Sequence, residues 1–168
     1  MAKQYPDDST TLHTDAYELS MIQTYFEEGI QNKQAIFEVY FRDMPFKNGF
    51  AVFAGLEHII HYIENLHFSK TDIEYLKEAT DYSPELIQYL TDFKFKGTIR
   101  SVAEGELVYS NEPMLQVEGP LADCQLIETA VLNIVNYQTL IATKAARIRS
   151  VAGNDGIMEF GSRREDHN

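Results

Sequence analysis

The longest periodic stretch of the chain, at residues 120–153, restricts its fold more than any other feature. After Pro120, apolar side chains recur at helical spacing until Gly153. The first half of this stretch is apolar on most faces, which predicts that it is buried. Because the stretch is long for one helix of a globular protein, we expect a break near Asn136 and Tyr137 that gives two consecutive helices.

A short apolar segment follows, IMEFG at residues 157–161, and it has the composition of a β-strand. A buried helix followed by one such strand is typical of the start of an α/β unit, because a parallel strand needs neighbouring strands and crossover helices. We therefore expect the chain to be the front part of a larger protein, ending at the first strand of an incomplete α/β barrel. This interpretation predicts exposed apolar surface on the long helix and at residues 157–161.

The earlier residues predict an α+β domain behind a flexible lead-in. Residues 1–11 are polar and form the lead-in. Residues 12–119 mix helix and strand signals and form the domain, while residues 120–168 form the helical segment with the first barrel strand. From 93 to 119, short strand-like runs are separated by glycine, asparagine and proline, which predicts a small antiparallel β unit.

Local signals place individual elements of this domain. Asp15 followed by Glu18 has the form of a capping box and predicts a helix that ends at Gly29. The alternation in AIFEVYFRDMPF predicts a strand, and a second short strand at residues 50–53 should pair with it. Three further residues stand where helices should begin: Gly55, Ser69 and Ser83.

Composition and charge exclude several classes of protein. The formal net charge of -12 argues against long contact with nucleic acid, which depends on a concentrated basic face. No apolar run approaches the roughly 20 residues of a membrane span, and the N-terminus has no segment of signal-peptide type. Cys124 is the single cysteine, which excludes an internal disulfide and a cysteine-based zinc site. We therefore expect a cytoplasmic protein without nucleic-acid or membrane partners.

Asp15 and Tyr17 are the first pair of candidate binding residues. They lie close together at a predicted helix N-terminus, where free backbone N–H groups favour an anionic ligand. The alternative interpretation is that Asp15 caps the helix and Tyr17 packs in its first turn. We favour an exposed Tyr17, because Leu19 and Ile22 already supply the apolar face of this helix.

Arg163 and Arg164 follow the predicted strand that contains Phe160. In α/β sheets and barrels, ligands bind at the carboxyl ends of strands, and guanidinium groups suit phosphate and carboxylate. The alternative is a solvated basic turn. His58 and His61 are three residues apart on a predicted helix, but no third ligand is near them, so we expect no metal site.

Five sequence blocks identify a known family by their content and order: LHTDAYELSMIQTYFEEG, FEVYFRDMPF, VFAGLEHII, EGPLADCQLIETAVLNIVNYQTLIATKAARIRSVAG and EFGSRR. Together they resemble nicotinate phosphoribosyltransferase, which joins nicotinate to phosphoribosyl pyrophosphate for NAD synthesis. The resemblance extends from about Leu12 to Arg164. Chains of the family are much longer, so this one corresponds to roughly their first third. It departs from the family after Arg164, where Glu165 follows in place of the usual Ala-Gln.

The resemblance implies a role for each candidate residue. Tyr17 matches the tyrosine that reaches into a neighbouring subunit's site and stacks on the pyridine ring, with Asp15 as the acid beside it. Phe160 matches the phenylalanine on the other face of the ring. Arg163 matches the arginine that contacts phosphate, and Arg164 lies next to it.

The resemblance also implies a type II phosphoribosyltransferase-like fold and a homodimer with shared active sites. The full-length family enzyme uses ATP and Mg²⁺ through a phosphorylated histidine, and that histidine lies beyond residue 168. No catalytic residue is therefore expected within this chain, and we expect the isolated 168 residues to be inactive.

Two alternatives remain at this point. AEGELVYSNEPMLQVEG has the pattern of a small β-hairpin domain and could form a non-catalytic interaction module. No lysine stands at its turn, at residues 110–112, which disfavours a biotin or lipoyl carrier. The second alternative is a fragment of a quinolinate-type phosphoribosyltransferase, although the T-D-x-Y and F-G-x-R-R blocks favour the nicotinate enzyme.

Overall fold

A three-stranded antiparallel sheet and a long helix organise the computed structural model, which describes residues 11–47 and 49–161. The described elements follow one another in this order: α1 Ala16–Glu27, β1 Gln34–Val39, a 3-10 turn Pro45–Lys47, β2 Ala51–Val52, α2 Leu56–Asn65, α3 Lys70–Ala79, α4 Pro84–Thr91, β3 Thr98–Ser101, β4 Leu107–Val108, β5 Leu115–Pro120, α5 Leu121–Leu126 and α6 Glu128–Ala152.

The sheet has the strand order β1-β5-β3, so β5 is central. Val117 pairs with Phe37 on one side and with Ile99 on the other, and all three side chains pack into the core. The opposite face is polar, with an ion pair of 2.5 Å between Arg100 and Glu118. The alternation predicted for β1 is confirmed: its inward residues are more buried than its outward ones.

The expected pairing of the second short strand with β1 is wrong. β2 pairs with β4 instead, in a separate two-stranded sheet. Before β2, Phe46 and Lys47 adopt left-handed backbone conformations with φ of 60° and 52°, which redirect the chain. β2 also packs on α6, where the Thr143 hydroxyl accepts a hydrogen bond of 2.9 Å from the Val52 N–H. A helix contact therefore places this strand.

The β unit predicted at residues 93–119 is antiparallel, as expected, but it is not self-contained. Its last strand, β5, lies between β1 and β3, and β4 pairs with β2. Two of the three pairings of these strands therefore involve residues from outside the segment. This arrangement argues against the independent hairpin module that the sequence pattern allowed.

The expected helix break near Asn136 and Tyr137 is also misplaced. The break occurs at Ile127, between α5 and α6, and α6 then continues through both residues for 25 residues. Four buried residues spaced four apart form one stripe along α6: Val131, Val135, Thr139 and Thr143. Because this stripe contacts the core without interruption, helical packing is maintained past Asn136.

Residues 157–161 pair with none of the described strands, so the strand predicted there is not formed within the described part of the chain. A strand is stabilised by hydrogen bonds to a partner, and no described strand lies beside this segment. The exposed apolar surface predicted here and on the long helix is confirmed. It comprises Leu132, Ile141, Ile148, Val151, Ile157, Met158 and Phe160.

The three helices between β2 and β3 begin at the residues that the sequence predicted. Ser69 forms a capping box with Asp72, and the Ser83 side chain accepts a hydrogen bond from the Leu86 N–H. α2 begins after Gly55, whose φ of +114° is accessible to glycine, and a Cβ there would lie 3.2 Å from Ile134. No helix among the described residues is long and apolar enough to cross a membrane.

We expect Thr139→Val to destabilise the fold by about 1–3 kcal/mol. The buried Thr139 hydroxyl accepts from the Ala54 N–H at 3.2 Å and donates to the Ala54 carbonyl at 3.1 Å, and valine leaves both backbone groups without this partner. Urea unfolding measures the loss. Thr91→Val, at an exposed position of α4, is the matched control and should change stability by less than about 0.5 kcal/mol. Equal effects of the two substitutions would contradict this account.

Candidate functional site

The N-terminus of α1 meets the N-terminus of α6 at a buried carboxylate. Glu18 is 0% exposed, and one of its oxygens accepts hydrogen bonds from the Thr129 N–H at 2.8 Å and the Thr129 hydroxyl at 2.6 Å. Its other oxygen accepts from the Thr14 hydroxyl. Glu18 therefore links the two helices directly.

The capping box expected at Asp15 and Glu18 is wrong. Asp15 does hold the N-cap position of α1, with extended backbone angles, but its side chain makes no capping hydrogen bond. Glu18 turns toward α6 rather than back to Asp15. The sequence pattern of a capping box was present, and a tertiary contact with Thr129 uses the carboxylate instead.

Asp15 also faces Thr129. The Asp15 N–H donates to the Thr129 hydroxyl oxygen at 3.3 Å, and an Asp15 carboxylate oxygen lies 3.1 Å from the same hydroxyl. That hydroxyl has one hydrogen, which it can donate to Glu18 or to Asp15. Asp15 itself is exposed, so it stands at the rim of the junction with carboxylate oxygens open to solvent.

Burial raises the pKa of Glu18 above the ordinary glutamate value of 4.5, and the hydrogen bonds from Thr129 and Thr14 lower it in part. The folded state therefore binds the proton more tightly than the unfolded chain. The stabilising contribution of this carboxyl is complete below pH 4.5 and declines as pH rises through the raised pKa.

Tyr17 projects from the first turn of α1 and is 50% exposed, as expected from the sequence. The Glu128 carboxylate, at the start of α6, lies close enough to interact electrostatically with the Tyr17 hydroxyl. The charge of Glu128, then partial burial and the charges of Glu18 and Asp15, raise the pKa of Tyr17 above 10.0. The phenol is consequently protonated and uncharged at neutral pH.

An open cleft of about 520 Å³ adjoins Tyr17, between α1, the end of β1 and α6. Its walls include seven residues with aromatic or polar side chains: Asp15, Tyr17, Tyr40, Phe41, Thr129, Asn133 and Asn136. Such a mixture of aromatic surface and a few polar groups is typical of sites for small molecules.

Sequence reasoning found Asp15 and Tyr17 but missed the other walls of this cleft. Tyr40 had a signal, since it is an aromatic residue on the outward side of the predicted strand, and it is exposed. Asn136 was interpreted as a helix break and not as a site residue. Glu128 and Thr129 gave no signal, because their role depends on α6 beginning beside α1.

Phe160 is 80% exposed and does not line this cleft. α6 spans about 36 Å. At its far end, the Arg149 guanidinium donates to the carbonyls of Gly153 at 3.0 Å and Asp155 at 2.9 Å, so the turn at residues 153–155 stays beside the end of the helix. The five residues after Asp155 reach at most about 18 Å. Within one chain, Phe160 thus stays roughly 18 Å or more from the end of α6 that contacts Tyr17. Arg163 and Arg164 lie outside the described residues.

We expect Glu18→Gln to alter the pH dependence of stability. Glutamine does not titrate, so the free energy of unfolding of the variant should rise relative to that of the unchanged chain from pH 4.5 to pH 7, which is a relative stabilisation of the variant. Urea unfolding at the two pH values measures this difference. The exposed Glu28→Gln is the matched control and should show a smaller change. A difference for Glu18→Gln that stays constant with pH would contradict the raised pKa.

Comparison with known proteins identifies the family. The model of the nicotinate phosphoribosyltransferase (NAPRTase) N-terminal domain matches residues 12–136. The chain is 55% identical over 160 residues to nicotinate phosphoribosyltransferase of Bacillus subtilis, covering 95% of this chain and 33% of the relative. It is 45% identical over 157 residues to the Caenorhabditis elegans protein of the same name, covering 91% and 28%.

Solved structures agree with these relatives. Human nicotinic acid phosphoribosyltransferase superposes with a TM-score of 0.80 at 34% identity, over 86% of this chain and 30% of that one. Nicotinate-nucleotide pyrophosphorylase from Pyrococcus furiosus superposes with a TM-score of 0.72 at 22% identity, over 99% and 36%, and this likeness shows a shared fold alone. The chain thus spans about a third of the length of these proteins, and it belongs to the nicotinate phosphoribosyltransferase family.

Proposed function

We propose that the full-length protein containing this chain joins nicotinate and phosphoribosyl pyrophosphate to form nicotinate mononucleotide and pyrophosphate. In this reaction the pyridine nitrogen bonds to the anomeric carbon of the ribose, and the bond from that carbon to pyrophosphate oxygen breaks. The observation that carries the proposal is the half-exposed ring of Tyr17 beside Asp15, at the mouth of a cleft, in a chain of this family.

Tyr17 offers one face of its ring to the pyridine ring of nicotinate. Half of the Tyr17 side chain is exposed, so its aromatic surface is available to a ligand. Flat aromatic rings stack favourably when offset, which would hold the pyridine nitrogen in line for attack on the ribose. Asp15, exposed beside it, belongs to the same proposed site.

Phe160 is proposed to cover the other face of the ring, from a second subunit. One chain keeps Tyr17 and Phe160 at opposite ends of α6, which supports a site shared between two copies. The high exposure of Phe160 leaves its ring available for such a contact. A homodimer with two shared sites is the simplest symmetric assembly that meets this requirement.

Arg163 and Arg164 are proposed to bind the phosphate groups of phosphoribosyl pyrophosphate, since guanidinium forks match phosphate geometry. The full-length enzyme is proposed to couple the reaction to ATP with Mg²⁺. Within residues 11–47 and 49–161, no group of three or more His, Cys, Asp or Glu side chains is placed to hold a metal ion. We assign no step of the reaction to Mg²⁺ on the described residues. We propose that the protein functions in the cytoplasm.

We expect Tyr17→Ala in the full-length protein to weaken nicotinate binding with little loss of stability. A half-exposed side chain should cost less than about 1 kcal/mol, whereas a packed core aromatic costs about 3 kcal/mol or more. Thermal unfolding and nicotinate titration measure the two effects separately. A large fall in melting temperature with unchanged affinity would assign Tyr17 to packing.

Subunit complementation tests the shared site. Full-length Tyr17→Ala and Phe160→Ala are each expected to be impaired alone, but a mixed dimer of the two contains one site with both rings intact. Random assembly of equal amounts should restore about a quarter of wild-type sites. Activity of the co-expressed mixture, compared with each variant alone, gives the answer. A mixture no more active than the separate variants would show that Tyr17 and Phe160 act within one subunit.

A further inference from the structure

The hydroxyl of Thr129 contacts both the backbone and the side chain of Asp15. The Asp15 N–H donates to the Thr129 hydroxyl oxygen at 3.3 Å, and one Asp15 carboxylate oxygen lies 3.1 Å from the same hydroxyl. A rotation of the Asp15 side chain would break the second of these contacts. Among the described residues, the other carboxylate oxygen of Asp15 has no hydrogen-bond partner, and Asp15 is exposed. Thr129 therefore holds Asp15 by one oxygen and leaves the other available to a ligand.

Thr129 is itself fixed by the buried carboxylate of Glu18. One Glu18 oxygen accepts from the Thr129 N–H at 2.8 Å and lies 2.6 Å from the Thr129 hydroxyl. The other Glu18 oxygen accepts from the Thr14 hydroxyl, which opposes rotation of the carboxylate. Because Thr129 is β-branched and lies in the first turn of α6, its side chain has few accessible rotamers. The buried junction thus determines where the Thr129 hydroxyl points, and through it the position of Asp15.

Asp15 lines the same cleft as Tyr17, where the proposed reaction creates a positive charge. The pyridine nitrogen gives its lone pair to the anomeric carbon, and the electrons of the carbon–oxygen bond leave with pyrophosphate. The pyridine ring becomes positively charged as this bond forms. A carboxylate beside the ring attracts that charge more strongly in the transition state than it attracts the uncharged ring of the bound substrate. Asp15 can therefore accelerate bond formation without tightening the binding of nicotinate.

We infer that Thr129 is a positioning residue, which holds the Asp15 carboxylate beside the pyridine ring, and that Asp15 stabilises the positive charge forming there. This inference rests on the proposed function, in which Tyr17 stacks on nicotinate. Thr129 acts through Asp15, so loss of the Thr129 hydroxyl should lower kcat and leave KM for nicotinate nearly unchanged.

The test measures kcat and KM for nicotinate in the full-length enzyme. Asp15→Asn removes the charge at nearly constant size and should lower kcat roughly ten- to hundredfold. Thr129→Val keeps the shape and the N–H group and should lower kcat about three- to tenfold. Thr129→Ser retains the hydroxyl and should restore most of the rate. The double variant of Asp15→Asn and Thr129→Val should be no slower than Asp15→Asn, because no charge is left to position.

A second threonine of α6 separates this role from a structural one. Thr139→Val also removes a buried hydroxyl from α6, but Thr139 lies outside the cleft, so this variant should keep kcat unchanged while it destabilises the fold. Equal losses of kcat in Thr139→Val and Thr129→Val would overturn the inference. Effects of Thr129→Val and Asp15→Asn that multiply in the double variant, or a Thr129→Ser variant as slow as Thr129→Val, would also overturn it.

Tyr17→Ala distinguishes failure of this inference from failure of the proposed function. If Tyr17→Ala raises KM for nicotinate while Asp15→Asn and Thr129→Val leave kcat unchanged, the inference fails and the proposed function stands. If Tyr17→Ala leaves KM unchanged, the proposed nicotinate site fails, and the inference fails with it.

Discussion

The contact between Glu18 and Thr129 determines where the proposed site lies. Glu18 is buried completely, and the charge is tolerated because one oxygen accepts two hydrogen bonds from Thr129 and the other accepts one from Thr14. Each partner belongs to the start of a helix or to the residues just before it. Loss of this contact would remove the direct hydrogen bonds between the starts of α1 and α6, beside Tyr17.

The length of α6 imposes the second constraint. A continuous buried stripe keeps the helix straight against β2 and the core, and the helix separates its two ends by about 36 Å. The N-terminal end carries the junction with Tyr17, and the C-terminal end leads to Phe160. In the proposed site two rings enclose one pyridine, and this separation supports the proposal that they come from two copies of the chain.

Local signals in the sequence predicted the fold well where the partner is near in the chain. The helix start at Ser69 and the alternation of β1 are confirmed because each depends on neighbours a few residues away. The pairing of β2 with β4, the break at Ile127 and the use of Glu18 could not be predicted, since each is decided by a contact with a distant segment. For the site, the exposure of Tyr17 could be predicted because other residues already fill the apolar face of its helix. The position of Glu128 near Tyr17 could not be predicted.

The junction also bears on how an anionic substrate is bound. Two helix N-termini that meet carry partial positive charges that repel, and Asp15, Glu18 and Glu128 place three carboxylates there to offset them. The same carboxylates cancel the attraction for an anion that the N-terminus of α1 would otherwise exert. In the proposed site, the carboxylate of nicotinate therefore needs cationic partners elsewhere in the dimer. Tyr17 contributes a neutral, half-exposed ring, and stacking is the interaction that this local charge leaves available.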